Sequence, residues 1–135
     1  MKYREYGREN QETMIFLHGG GLSWWNYREE AEKLRNRYHI IIPILDGHSG
    51  SDQQFTSIEE NAEHIIGYID ENLRGKVLLM GGLSLGAQVL LEILSRRNEI
   101  CKYALVESAM VIPSFFTRAM IRPAFGAMIL TYLSL

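Results

Sequence analysis

Short β-branched apolar runs alternate with longer amphipathic segments along this chain, and that alternation leaves few folds open. "TMIFLHG" (13–19) is a continuous apolar run ended by glycines, and "YHIIIPIL" (38–45) is β-branched and stops at the turn pair Asp46-Gly47. Both read as strands covered on both faces, the pattern of a parallel sheet. Between them, Trp25 to Arg37 carries alternating charge with Ala31 and Leu34 as inward positions, and reads as a crossover helix. The stretch "SIEENAEHIIGYIDENL" (57–73) opens with a capping box, Ser57 with Glu60, and sets Ile58, Ala62, Ile65, Ile66, Ile69 and Leu73 on one helical face. "KVLLM" (76–80) is the next strand, Leu85 to Arg97 the next helix and "KYALVE" (102–107) the next strand. The order βαβαβαβ implies an α/β fold: a mainly parallel open sheet with helices on both faces. At 135 residues the chain has room for one such domain.

Composition narrows the function classes. The chain is 47% hydrophobic and 22% charged, with 14 basic against 16 acidic residues and a net charge of −2. Along the sequence no run of basic residues forms, so no nucleic-acid partner and no anionic membrane surface is expected. Cys101 is alone and cannot close an internal disulfide, and "MKYREYGREN" lacks the apolar core of a signal peptide; a cytoplasmic location is the expectation. No Cys/His/Asp cluster has metal spacing, so neither a metal nor another cofactor is implied.

In parallel sheets ligands sit beyond the carboxyl ends of the strands, so the loops there carry the chemistry. Three qualify: "HGGGLSWW", "DGHSGSD" and "GGLSLG". The third, Gly82-Leu83-Ser84-Leu85-Gly86, has the G-x-S-x-G spacing of a nucleophile elbow in the strand-turn-helix context that the motif needs. It lacks the G-x-G-x-x-G spacing of a dinucleotide loop, and no Gly-Lys-Ser/Thr follows for a phosphate loop. His18-Gly19-Gly20-Gly21, directly after a strand, suits an oxyanion loop, because glycines let backbone N–H groups face a ligand unobstructed.

"IFLHGGG", "PILDGHSGSD" and "LLMGGLSLGA", in this order and spacing, resemble the N-terminal half of the α/β-hydrolase family over roughly residues 3 to 108. The resemblance implies a hydrolase core over 1–108, incomplete at its C-terminal side, and the start of a cap-like helical segment over 109–135. It makes Ser84 the nucleophile and the amides of Gly20 and Leu85 the oxyanion hole. His18 would brace a loop, and "DGHSGSD" looks like a shortened form of the family's Asp-x-x-Gly-His-Gly-x-Ser turn, with Asp46 and His48 in structural roles. Gly21, Trp24, Phe115, Phe116 and Met120 are the substrate-facing candidates, though Trp24 suits packing of the helix start equally, and the three tail residues suit packing within a cut domain. The implied substrate is a small ester, thioester or similar activated carbonyl compound.

One part of that machinery is missing from the sequence. In this family the chain order is Ser, then Asp or Glu, then His, yet all four histidines (His18, His39, His48, His64) precede Ser84 and no aspartate follows it. Three readings stay open. The chain is a truncated form of a longer hydrolase; or it is a noncatalytic binding or regulatory domain; or His48 is a substitute base oriented by Asp46 or Asp52. Glu107, at the end of the last strand, is placed like the acid of those family members whose acid follows that strand, though a strand-end carboxylate facing solvent is the plainer reading. The apolar tail 109–135 is broken by Pro113, Arg118, Arg122 and Pro123, and its uninterrupted 12 residues from Ala124 would span about 18 Å as helix against about 30 Å of hydrocarbon. No transmembrane span is therefore expected, and an exposed apolar tail predicts self-association.

Overall fold

A computed structural model describes residues 1–110. The cap-like segment, with Phe115, Phe116 and Met120, lies outside the described residues apart from its first two positions. The described residues form a five-stranded sheet of β1 (Lys2–Tyr6), β2 (Thr13–Leu17), β3 (His39–Ile44), β4 (Val77–Leu83) and β5 (Cys101–Glu107), in spatial order β1-β3-β2-β4-β5. β3, β2, β4 and β5 run parallel to one another, and β1 pairs antiparallel with β3. The helices are α1 (Arg28–Leu34), entered through a 3-10 turn at Trp24–Tyr27, α2 (Ile58–Asn72) and α3 (Leu85–Arg96).

The mainly parallel α/β architecture read from the sequence is what forms, and strand periodicity explains its two cores. Successive side chains alternate across a strand. Ile15, Leu17 and Ile41 therefore face α2 and α3, meeting Ala62, Ile65, Ile69, Val89, Leu90 and Ile93. Phe16, Ile40 and Ile42 face the other way, onto Ala31 of α1 with Tyr27 and Leu34 around it. Each fully buried isoleucine or leucine contributes about 1.5–3 kcal/mol.

Three details differ from the sequence reading. β1 was not expected, because "KYREY" mixes charge with aromatics; as an edge strand it needs only partial cover, which Tyr3 obtains by stacking on Tyr68 with ring centroids 3.9 Å apart. The crossover segment splits into the 3-10 turn and a shorter α1. The capping box at α2 forms by half: Ser57 Oγ accepts the Glu60 amide at 3.0 Å, while the Glu60 carboxylate accepts from Thr56 Oγ1.

Candidate active site

Ser84 stands between β4 and α3 with φ 51° and ψ −109°, a left-handed backbone that a residue with a β-carbon adopts only under strain. The surroundings hold it there. Its amide donates to the Glu107 carbonyl at 2.9 Å and its carbonyl accepts from the Gln88 amide at 3.0 Å, so one end is tied to β5 and the other to α3. The flanking glycines are steric necessities: a β-carbon at Gly86 would lie 2.1 Å from the Leu17 carbonyl oxygen, and one at Gly82 would lie 2.5 Å from the Gly86 oxygen. Only hydrogen at both positions lets α3 approach β2 and β4 so closely. The Ser84 side chain is left exposed and makes no capping bond to α3. The first amides of α3, beginning with Leu85, lack partners within the helix and carry the positive end of its dipole.

The loop after β2 lies over that helix start. A β-carbon on Gly20 would sit 3.7 Å from Leu85 Cβ, so Gly20 and Leu85 are brought together next to Ser84, with Gly21 exposed beyond them. Several polar groups fix this loop. The Gly19 amide donates to Asn26 Oδ1 at 3.3 Å, and Ser23, fully buried, donates its hydroxyl to the Ser49 carbonyl at 2.6 Å. Buried His18 links two strand ends: its Nδ1 lies 3.0 Å from the Gly19 carbonyl and its Nε2 accepts the Leu45 amide at 3.1 Å. Those partners require the neutral tautomer with the proton on Nδ1. Burial pushes the His18 pKa down from 6.5 to about 4, and His48 nearby lowers it further against the pull of the Gly19 carbonyl. A brace at His18 is what these bonds build.

His48 is half-buried, its ring centroid 5.0 Å from that of His18. Its Nδ1 faces the carbonyl oxygen of Asp46 at 3.0 Å. The two aspartates considered as its orienting groups are engaged elsewhere. Buried Asp46 turns its carboxylate to His64 Nδ1, 3.1 Å away, while its amide donates to Asn61 Oδ1 at 2.9 Å. Asp52 is 3.4 Å from Lys2 on the surface. Neither carboxylate therefore stands behind His48, and no hydrogen bond joins His48 to Ser84 among the described residues.

Trp24 packs in the α1 core, with the Arg4 guanidinium 4.8 Å from its ring centroid. That placement is on the β1 side of the sheet. Tyr27 stacks on Phe16 at 5.1 Å, and burial, with Glu107 and Glu30 adding negative charge, pushes its phenol up to about 12, leaving it a neutral hydrogen-bonding group. Ser23, Asn26, Tyr27 and Asn61 were not singled out from the sequence. Their partners lie on other loops or strands, and no local pattern marks them. Among the described residues no group of three His, Cys, Asp or Glu side chains is arranged to hold a metal ion, and no helix is long and apolar enough to cross a membrane.

Comparison with known proteins supplies the context for this geometry. A protein named "Probable alcohol acetyltransferase" from Cyberlindnera fabianii is 30% identical over 100 residues, which is 71% of this chain and 27% of that protein. Among solved structures, an α/β hydrolase family protein from Desulfitobacterium hafniense superposes with a TM-score of 0.71 at 30% identity, covering 81% of this chain and 44% of its own. A thermophilic esterase from Thermogutta terrifontis gives a TM-score of 0.75 at 21% identity, covering 84% and 42% respectively, and is a likeness of fold. The chain thus spans less than half the length of each of these relatives. The profile of the Alpha/beta hydrolase family matches residues 14–134, nearly the whole of the sequence, and on that match this chain belongs to the α/β hydrolase family.

Proposed function

We propose that this chain carries the nucleophile half of a serine hydrolase acting on small esters, thioesters or similarly activated carbonyl compounds. Ser84 Oγ attacks the carbonyl carbon, and the amides of Gly20 and Leu85 donate to the oxygen as it gains negative charge. Collapse of the tetrahedral intermediate breaks the bond to the leaving alcohol or thiol, which takes up the proton lost by Ser84. Water then repeats the attack on the acyl-serine and releases the acid. The observation that carries this reading is the left-handed Ser84 between Gly82 and Gly86, with Gly20 packed against Leu85.

The proton acceptor in this reading is an imidazole that residues 1–135 do not supply. No histidine follows Ser84, His18 is committed to two backbone partners, and His48 has no carboxylate behind it. The short coverage of the relatives supports the same view. A serine without its base loses several orders of magnitude in turnover. The resemblance to the acetyltransferase-named protein favours a second outcome for the same acyl-serine, its transfer to an alcohol instead of water.

Incubation of the purified chain with a short-chain acyl thioester and imidazole, followed by intact-mass and peptide mass spectrometry, tests the assignment. One acyl group on Ser84, absent from Ser84→Ala, is the expected result. Acylation elsewhere, or none on a folded chain, contradicts it and leaves a noncatalytic binding domain. Adding ethanol then separates the two fates: ethyl ester in place of free acid identifies transfer to an alcohol.

A further inference from the structure

The opposite end of the sheet holds a cleft of about 810 Å³ that the proposed chemistry does not use. It lies at the amino ends of the strands and takes residues from three separate places: Arg8 from the turn between β1 and β2, Arg74 and Lys76 from the turn between α2 and β4, and Lys102 from the start of β5. Glu12 is the single carboxylate of its lining. In a chain with 16 acidic and 14 basic residues, four cations against one anion around one cavity is a marked segregation. No run of sequence announces it, because the four are spread over 95 positions and meet only when the sheet is assembled.

Arg8 has a partner in Glu5 at 3.0 Å, but Arg74, Lys76 and Lys102 make no ion pair among the described residues. Glu5, behind the cleft, is already engaged by Arg8, by His39 at 2.9 Å and by the Tyr68 hydroxyl at 3.3 Å. The turn carrying Arg74 is held in place. Arg74 has φ 58° and Gly75 φ 75°, and the Arg97 guanidinium clamps this pair by bonding both Asp70 oxygens at 2.9 Å and the Gly75 carbonyl at 3.0 Å. A non-glycine residue in the left-handed region, its neighbour held by an arginine that is itself anchored to Asp70, is a place where strain is tolerated rather than relieved.

We propose that this cleft binds a small molecule carrying two or more phosphate groups. Its volume is that of a small-molecule site, and its four cations come from three separate elements around one open cleft, which suits a compact polyanion better than an extended nucleic-acid track. Lysine ammoniums and an arginine fork both suit phosphate oxygens, and a multiply charged ligand engages cations from three elements at once. The site is independent of the chemistry assigned to Ser84.

Isothermal titration of the 135-residue chain with sodium tripolyphosphate tests this, with citrate as a carboxylate control. Saturable one-to-one binding is expected, weakened at least about tenfold in Lys76→Gln/Lys102→Gln, unchanged in Lys33→Gln on α1 and in Ser84→Ala, and steeply reduced by added salt. Arg74→Gly separates binding from folding: it frees the strained position while removing a cation, so the melting temperature should hold or rise as affinity falls. Absence of saturable binding, equal loss in Lys33→Gln, full affinity in Arg74→Gly and in the double variant, citrate bound as tightly as tripolyphosphate, or a mixed-sequence duplex bound more tightly than tripolyphosphate overturns the proposal.

Discussion

Ser84 carries two properties in one set of torsions, for the φ of 51° that lifts its hydroxyl clear of β4 is also a local strain. Glycine at this position relieves that strain and alanine does not, so Ser84→Gly should be more stable than Ser84→Ala by about 1 kcal/mol in urea denaturation. A serine at an ordinary negative φ would show no such gap. His18 makes a second prediction, through pH. Its pKa falls from 6.5 to about 4 on folding, so between those values the unfolded chain binds a proton that the native one refuses. Stability is then complete above pH 6.5 and declines as pH drops toward 4, by up to about 3 kcal/mol. Denaturation at pH 7 and pH 5 should reveal this slope, and His18→Gln should flatten it. The turn at Ser84 could be picked from the sequence because it rests on glycines two positions either side, whereas the brace at His18 needs the Leu45 amide 27 positions away and is implied only by the family resemblance. The contact of His64 with the Asp46 carboxylate could not be picked either, since these residues are 18 positions apart and meet only through the path of an irregular loop.

At the level of elements, the contact of α3 with the strands is the closest approach found at a glycine among the described residues. Gly86→Ala sets a methyl 2.1 Å from the Leu17 carbonyl, and backbone cannot give way as a side-chain tip can. Its cost should be about 3 kcal/mol or more, read as a lower urea midpoint, with the helix displaced from Ser84. The apolar periodicity of α2 and α3 and the β-branched run of β3 were legible because each declares its buried face within a few residues. β1 was not, since an edge strand covered mainly by Tyr3 on Tyr68 depends on a partner 65 positions away. The split of Trp24–Leu34 into a 3-10 turn and a helix goes with side-chain bonds of Ser23 to the Ser49 carbonyl and of Asn26 to the Gly19 amide, which no local pattern marks.

At the scale of the whole molecule, the parallel order of the described strands places three loops at one end of the sheet and a cluster of exposed cations at the other, and only the first arrangement is legible in the sequence. Loops after strands stand in sequence order with their motifs intact, whereas Arg8, Arg74, Lys76 and Lys102 are single residues with no motif among them. The β5 edge also exposes Tyr103, Leu105 and Val106, each more than 40% accessible, and an apolar edge of this kind favours association. The chain should show concentration-dependent self-association in sedimentation velocity, reduced by Leu105→Lys. A monomer at all concentrations would count against that expectation.

The proposed attack by Ser84, with an imidazole that residues 1–135 do not supply, is checked by fluorophosphonate labelling of the purified chain across an imidazole titration, beside Ser84→Ala and His48→Ala. The expected result is slow labelling that accelerates with imidazole, disappears in Ser84→Ala and is unaltered in His48→Ala. Rapid labelling without imidazole that His48→Ala abolishes would contradict the missing base, and a folded chain that stays unlabelled at every imidazole concentration would contradict the nucleophile itself.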